Sequence, residues 1–561
     1  MGHVRIVAFP ILITLKPEES ALMKKKYGLH LSLLFVLCIV WGNCSAPKTE
    51  EPPQRPNILF AISDDQSFAH TSFTGKTWVK TPAFDRVAQN GIYFTNCYAG
   101  SPGCAPSRSS IVTGRYHWQN EQAGQHAAGW LNKYVPFVDL VAANGYHTGY
   151  TGKGVGPFKY GEEPLRSENA AGKAYNEIQY EEDSLEDERF ADGIRNLNYF
   201  ANFKQFMEER EEDEPFFFWY GASEPHRDYE KDSWKRRGKS LDAVDVPEFL
   251  PDTEEIRGDL LDYAVEIEWF DLHLERMINY LEETGELENT IIIVTADNGM
   301  PFPRAKANAY EYGAHVPMAI SFPKGFPAGR IVDDPISFID LAPTILELTG
   351  TAPEGMLPIT GKSFVSILTS EKEGRVDETR EYVLTGRERH SSSRYMNVGY
   401  PQRAMRRGRY LYIWNMKPER WPAGAPQRLV PDSTDALYPL YGIDEEGVHH
   451  SDWAFTDIDA CPTKSFIVEH HDDEAYEKYF EMAVGKRPEY ELYDVEKDPY
   501  CLDNLAASPE FTGILDQMKD IVLQELKTTE DPRVVGPNKE LFDTYPRYSP
   551  MREFPKPEWA G

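Results

Sequence analysis

Short apolar runs alternate with helical patterns through the first half of the chain. Residues 58–62, 216–220 and 291–295 are almost entirely apolar, as strands are when helices cover both faces of a parallel sheet. Residues 256–284 carry apolar side chains at helical spacing, which predicts a long amphipathic helix. Strands that alternate with helices predict an α/β fold with a doubly wound sheet.

Shorter segments complete this pattern. Thr81 and Pro82 are typical of a helix start and Gly91 of a helix end, and a strand is predicted at residues 92–94. Residues 135–144 then predict a helix, which is followed by a strand at residues 147–151.

The pattern changes after about residue 370. Residues 406–415 and 490–494 predict exposed antiparallel strands, and residues 515–527 predict an amphipathic helix. These elements indicate a smaller α+β domain beside the first. We divide the chain into a leader (1–45), a linker (46–55), a large domain (56–375), a C-terminal α+β domain (376–535) and an extended tail (536–561).

The leader predicts export from the cell. Met23 is the expected start, and three lysines precede an apolar run at residues 31–41 that is too short to span a membrane. Cys44 and the polar, proline-rich residues 45–55 resemble a bacterial lipoprotein cleavage site and tether. We expect a periplasmic or outer-membrane lipoprotein that contacts the membrane only through its lipid. Plain secretion after cleavage near Ala46 is the alternative.

The net charge restricts the partners of the protein. The 59 Lys and Arg residues against 90 Asp and Glu residues give a formal net charge of −31. This acidity argues against nucleic-acid binding, which needs a basic surface to displace counterions. An anionic substrate would therefore require a local cationic pocket.

Chemically reactive residues follow four of the predicted strands. Asp64 and Asp65 come after the first strand, and Lys153, His226 and the pair Asp297–Asn298 follow three others. Ligands of such sheets bind beyond the carboxyl ends of the strands. The acidic residues and the asparagine offer only oxygen donors, which suit Ca²⁺ or Mg²⁺.

One segment carries a specific motif. Residues 104–108 are Cys-Ala-Pro-Ser-Arg, and Thr113-Gly114 follows. This segment resembles the C-x-P-S-R…T-G signature of type I formylglycine-dependent sulfatases in the alkaline phosphatase superfamily. The resemblance implies a doubly wound mixed sheet between helices with a smaller C-terminal α+β domain. It also implies that a formylglycine-generating enzyme converts Cys104 to formylglycine, whose hydrate attacks sulfur and later expels sulfate.

The resemblance also implies roles for the residues around this motif. Those assigned to a Ca²⁺ ion, with Mg²⁺ as the alternative, are Asp64, Asp65, Asp297, Asn298 and the modified Cys104. Those assigned to the sulfate and the leaving group are Arg108, Lys153, His226 and Lys306. One departure is that sulfatases commonly have Gly-Lys-x-His, whereas Val155 stands at the histidine position here.

Further segments resemble the heparan N-sulfatase (N-sulfoglucosamine sulfohydrolase, sulfamidase) branch. They include Met300-Pro-Phe-Pro after the Asp297 motif, Tyr400-Pro-Gln-Arg and Glu491-Leu-Tyr-Asp. The resemblance implies a sulfated glycan substrate, cut at a terminal N-sulfated glucosamine at the non-reducing end. The candidate sugar contacts are Arg387, His390 and Arg403.

Several alternatives remain open at this point. An O-sulfatase acting on an N-acetylhexosamine would use the same residues. A phosphatase of the same superfamily would use Ser or Thr and several His ligands, whereas only His315 is found in the segment after Asp297. A silent glycan-binding lipoprotein would keep Cys104 as a thiol. Cys461 and Cys501 could form a disulfide or remain free.

Overall fold

A seven-stranded mixed sheet forms the centre of the larger part of the protein. The computed structural model describes residues 55–180, 189–433 and 435–560. The strands are β1 (Asn57–Ser63), β2 (Ile92–Phe94), β3 (Cys97–Tyr98), β4 (His147–Gly152), β5 (Phe216–Gly221), β6 (Thr290–Ala296), β7 (Met318–Ser321), β8 (Arg330–Val332), β9 (Ile336–Ser337), β10 (Tyr382–Arg387), β11 (Gln402–Arg407), β12 (Tyr410–Asn415) and β13 (Tyr490–Asp494). The order in the large sheet is β4-β5-β1-β6-β7-β2-β8.

The strand register places the loops that follow β1, β5 and β6 at the same edge of this sheet. β1 lies between β5 and β6 and is parallel to both. Ile62 is opposite Gly221, and Ser63 is opposite Ala296. The residues that follow β1, β5 and β6 therefore emerge side by side. β7 is antiparallel to β6 and to β2, which makes the sheet mixed.

The described residues form fourteen α-helices, several of which cover the two faces of the large sheet. They are α1 (Pro82–Gln89), α2 (Cys104–Thr113), α3 (Phe137–Ala143), α4 (Tyr199–Glu209), α5 (Ser233–Arg236), α6 (Glu254–Glu283), α7 (Glu311–Ala314), α8 (Leu341–Leu348), α9 (Val365–Leu368), α10 (Pro462–Glu469), α11 (Glu477–Val484), α12 (Thr512–Thr528), α13 (Pro532–Val535) and α14 (Leu541–Thr544). Leu59 and Ala61 share a core with Trp269 of α6. Ile58 and Phe60 face the opposite core, which contains α3 and α8. The predicted α/β architecture is confirmed.

The C-terminal region contains the second, antiparallel sheet, in the order β10-β11-β12-β13. Residues 406–415 contain the end of β11, the turn and the whole of β12. Their predicted exposure is wrong because both faces of the sheet are covered. Met405 and Tyr412 pack against α12 through Met518, while Leu411 packs in a core with Tyr310 on the other face.

Some expectations lie outside the described residues. The leader, Cys44 and most of the linker precede residue 55, and residues 181–188 of an acidic stretch are also outside. Among residues 55–180, 189–433 and 435–560, no helix is both long and apolar enough to cross a membrane.

Arg403 of β11 ties the second sheet to the C-terminal segment. Its Nε donates to Asp531 Oδ2 at 2.6 Å, and its Nη2 donates to Glu388 Oε1 at 2.8 Å. Its Nη1 donates to the carbonyls of Arg387 and Gln402. All three side chains of the ion pairs are at most 1% exposed. Arg403 therefore stabilises the fold through buried ion pairs, and its expected sugar contact stays a prediction.

We predict that Arg403→Gln lowers the free energy of unfolding by about 3–5 kcal/mol, because removing one partner leaves buried carboxylates uncompensated. Chemical denaturation measures this change. The control is Arg407→Gln, whose ion pair with Glu381 is 29% and 56% exposed and should contribute less than about 1 kcal/mol. Equal losses in the two variants would contradict the assignment.

Candidate active site

Three buried carboxylates meet at the edge of the sheet where β1 and β6 end. Oxygens of Asp64, Asp65 and Asp297 lie within 4.8 Å of one another. Asn298 Nδ2 donates to Asp65 Oδ1 at 2.8 Å. Within the described ranges, Asp64 Oδ1 and Asn298 Oδ1 are buried without a hydrogen-bond partner. Unpartnered buried oxygens in an all-oxygen set fit a hard cation such as Ca²⁺ or Mg²⁺.

The pKa values of Asp297 and Asp64 are shifted in opposite directions. Burial and the charge of Asp64 raise the pKa of Asp297 to about 7, against the opposing effect of Arg108. Burial alone would raise the pKa of Asp64, but Lys153 and other nearby cations hold it well below its ordinary value. Without a cation, Asp297 is therefore partly protonated at neutral pH. A divalent cation would displace that proton.

Cys104 is the first residue of α2 and is buried at its N-terminus. Gly103 precedes it in an extended conformation as the N-cap. Burial raises the pKa of the Cys104 thiol to about 11, although Lys153 opposes this shift. The unmodified thiol is therefore protonated and a poor nucleophile, whereas the helix N-terminus favours an anion beside it.

Arg108 connects α2 to the carboxylates and to the loop after β4. Its Nε donates to Asp297 Oδ2 at 2.7 Å, and its Nη1 donates to the carbonyls of Lys153 and Gly154 at 2.7 and 3.0 Å. The side chains of both ion-pair partners are fully buried. Arg108 thus fixes the position of Asp297 relative to the start of α2.

Two lysines and a histidine surround the carboxylates. Lys153 Nζ lies 2.5 Å from Asp64 Oδ2. Lys306 Nζ lies 2.6 Å from Asp65 Oδ2, and His226 Nε2 lies 3.9 Å from the same oxygen. These groups concentrate positive charge beside Cys104 in an otherwise acidic protein. The arrangement can bind and polarise a dianion.

A comparison with protein families identifies the family of the chain. The Sulfatase model matches residues 56–351, which is more than half of the chain. The chain belongs to the sulfatase family. Sulfatases use a metal ion and a formylglycine, and the acidic cluster and Cys104 are the residues of this sulfatase that suit them.

Curated relatives extend over most of the sulfatase. Human N-sulphoglucosamine sulphohydrolase is 24% identical over 545 residues, which cover 90% of this chain and 95% of the relative. An N-acetylglucosamine-6-O-sulfatase of Bacteroides thetaiotaomicron is 26% identical and covers 66% of this chain and 79% of the relative. An ulvan-active sulfatase of Formosa agariphila is 24% identical, with coverages of 83% and 74%.

Solved structures share the fold. A protein in complex with its substrate D-glucosamine-2-N,6-O-disulfate superimposes with a TM-score of 0.55 at 19% identity, covering 86% of this chain and 99% of the other. A phosphonate monoester hydrolase of Agrobacterium radiobacter gives a TM-score of 0.55 at 16% identity, with coverages of 86% and 97%.

Two residues near the catalytic cleft have no sequence motif. His126 lines a cleft of about 410 Å³ together with Asp64, Lys153 and His226. Asp459 Oδ2 accepts from Lys306 Nζ at 2.9 Å. His126 follows α2 in an irregular segment, and Asp459 lies in a loop of the C-terminal region. Neither residue follows a strand of the large sheet, so a search for reactive residues directly after predicted strands does not find them.

The three predicted sugar contacts differ in what their side chains touch. His390 Nδ1 lies only 3.3 Å from the position that a Cβ atom on Gly103 would take, which places it beside the start of α2. Arg387 is buried and pairs with Asp457 Oδ2 at 3.3 Å. Arg403 lies in the ion pairs described above. Cys461 and Cys501 are both free thiols.

We predict that calcium binds more tightly as the pH rises through about 7 and that binding below this pH releases protons. The pKa of Asp297 is raised in the metal-free protein, so a proton must leave before its oxygens can hold the cation. Isothermal titration calorimetry in two buffers of different ionisation enthalpy measures the release.

The control for this titration is Asp297→Asn, which should bind calcium more weakly and with less proton release. For the metal-free protein, the same shift predicts that the contribution of Asp297 to stability falls as the pH rises from about 4 to about 7. Calcium affinity that is independent of pH across this range would contradict the assignment.

Proposed function

We propose that this sulfatase removes sulfate from N-sulfated glucosamine at the non-reducing end of heparin- or heparan-type saccharides. The main support is the similarity to human N-sulphoglucosamine sulphohydrolase over 95% of that protein. The cleft beside Lys153 and His226 has a volume of about 410 Å³. That volume suits a single sugar residue at a chain end better than an extended polysaccharide.

Each residue of the site would have a separate role in the reaction. Formylglycine made from Cys104 by a formylglycine-generating enzyme supplies an aldehyde hydrate that can take up and release sulfate. Lys153 and Lys306 would neutralise the sulfate oxygens. His226 would protonate the leaving nitrogen. Arg108 would keep Asp297 in place throughout.

The cation would be held by the acidic cluster. Asp64, Asp65, Asp297 and Asn298 would provide oxygen ligands for Ca²⁺, with Mg²⁺ as the alternative. A bound divalent cation supplies charge stabilisation to a reacting anion. Asn298 Oδ1 and Asp64 Oδ1 are the ligand atoms that the described contacts leave free.

O-sulfate removal from an N-acetylhexosamine is the second candidate. It is favoured by the relative named N-acetylglucosamine-6-O-sulfatase, which matches this chain at 26% identity. The two activities differ in the atom that bears the sulfate, while the carboxylates and cations would serve both.

We also propose that the protein is exported and anchored through a lipid on Cys44, as the leader predicts. Metabolic labelling with a palmitate analogue in a bacterial host should mark the parent protein and fail to mark Cys44→Ser. Equal labelling of both proteins would contradict lipidation at this residue.

The substrate proposal predicts sulfate release from glucosamine N-sulfate in preference to 6-O-sulfated N-acetylglucosamine. Ion chromatography of free sulfate, with both sugars at equal concentration, measures the preference. Cys104→Ala should lower the rate by at least about 1,000-fold, because it removes the group that forms the covalent bond to the substrate.

The matched control is Cys97→Ala, which removes another buried thiol and should leave the rate within about twofold of the parent. Release from the 6-O-sulfated sugar alone would overturn the N-sulfate assignment. An unconverted Cys104 thiol in the peptide mass, together with no release from either sugar, would favour a silent glycan-binding protein.

A further inference from the structure

A group of buried hydrogen-bond donors in the C-terminal region has no partner among the described residues. Arg487 is 8% exposed, Arg387 is 3% exposed and Tyr400 is fully buried. In the part of the chain that the structure describes, both Nη atoms of Arg487, Nη1 of Arg387 and the Tyr400 hydroxyl accept or donate no hydrogen bond. Buried polar groups are nearly always paired, so this concentration of unpaired donors requires an explanation.

These side chains lie close together although they come from different segments. Arg387 ends β10, and its guanidinium carbon lies 5.2 Å from the Tyr400 ring centroid. Arg487 precedes β13, and its guanidinium carbon lies 4.7 Å from the Tyr310 ring centroid. Asn415 Nδ2 donates to the carbonyl of Pro488 at 2.8 Å, and Asn415 Oδ1 accepts from Gln402 Nε2 at 2.7 Å, so the segment that carries Arg487 lies beside the segment that carries Tyr400.

The neighbouring carboxylates are already engaged. Asp457 Oδ2 accepts from Arg394 at 2.6 Å and from Arg387 at 3.3 Å. Glu491 accepts from the Tyr310 hydroxyl at 2.7 Å and from Asn415 at 2.6 Å.

Arg487 forms no ion pair among the described residues, whereas Arg387 and Arg394 both pair with Asp457. A buried guanidinium without an anion is costly. The group therefore has positive charge and donors available for an external anion.

This group adjoins the reaction site. His390 is three residues beyond Arg387, and its ring is beside the start of α2. Burial and Lys306 lower the pKa of His390 to about 4, and Arg387 contributes in the same direction. Asp457, which pairs with Arg387, is two residues from Asp459, which pairs with Lys306, so one loop connects the arginine group to the cations of the site. A sugar whose sulfate lies at Lys306 could present a second substituent to the arginines.

We propose that Arg387, Arg487 and Tyr400 form a second oxyanion subsite, which binds a further acidic group of the glycan. The chemistry fits a sulfate ester or a carboxylate, because guanidinium groups bind both through paired N–H donors. The subsite extends the proposed function from one sulfate to a substrate with two anionic groups. It leaves open which group is cleaved.

The test uses full-length protein that carries Cys104→Ala, so that bound substrate is not consumed. Isothermal titration calorimetry compares three probes: glucosamine N-sulfate, glucosamine N,6-O-disulfate, and a disaccharide of N-sulfated glucosamine and a uronic acid. The disulfate tests a second sulfate and the disaccharide tests a carboxylate. The mature enzyme is assayed in parallel for sulfate release from each probe.

We expect at least one of the two dianionic probes to bind more tightly than the monosulfate. Arg487→Gln should weaken that binding about 10- to 100-fold, the range for a lost hydrogen bond to a charged group. It should change the affinity for the monosulfate less than about twofold. Tyr400→Phe, which removes only a hydroxyl, should weaken the same binding about fivefold.

The matched control is Lys486→Gln, which removes one positive charge from the exposed neighbour of Arg487 and should leave all affinities within about twofold. The subsite is overturned if Arg487→Gln and Tyr400→Phe, both shown to be folded by thermal unfolding, leave the dianionic probes unaffected. It is also overturned if they weaken all probes equally.

Failure of the proposed function has a different signature. In that case the mature enzyme releases no sulfate from any N-sulfated probe, whatever the affinities are. Binding of a dianionic probe that depends on Arg487 would still support the subsite. Release of N-sulfate without such dependence would support the function and overturn the subsite.

Discussion

The site depends on the balance between buried carboxylates and buried cations at one edge of a parallel sheet. Asp64, Asp65 and Asp297 bring negative charges into a region without exposed surface, where isolated charges are strongly disfavoured. Arg108 and Lys153 offset part of this charge through direct ion pairs. Lys306 pairs with Asp65 in the same way. A divalent cation held by the unpartnered oxygens of Asp64 and Asn298 would give the site a net positive charge, which would attract sulfate.

The sheet provides the rigidity that this balance requires. β1 is paired along its whole length with β6, so Asp64 and Asp297 leave the sheet at equivalent positions. α2 begins above this edge, and Arg108 on its second turn binds Asp297 directly. A shift of one residue in the register would separate the carboxylates and leave each of them without its cation.

Sequence reasoning succeeded where local pattern and local chemistry coincide. Asp64 and Asp297 follow buried strands, and a parallel sheet necessarily gathers the ends of such strands. It failed where the partners of a side chain come from segments that are distant in the sequence. Arg403 looked like a candidate sugar contact, but only tertiary structure shows that Asp531 and Glu388 neutralise it. Arg487 has no motif at all, and its unpaired donors become visible only after the loops before β11 and β13 are placed.

The acidity of the protein supports the proposed preference for the end of a sulfated chain over its length. At physiological ionic strength, charges on the surface are screened over about 8 Å, so the net charge of −31 acts mainly on ligands that lie along the surface. A polyanion bound lengthwise would meet many carboxylates. A single chain end that enters the cleft would instead meet Lys153, Lys306 and the arginines beyond His390. This charge distribution would disfavour the body of a sulfated chain and admit its terminus, which supports the proposed removal of sulfate from a chain end.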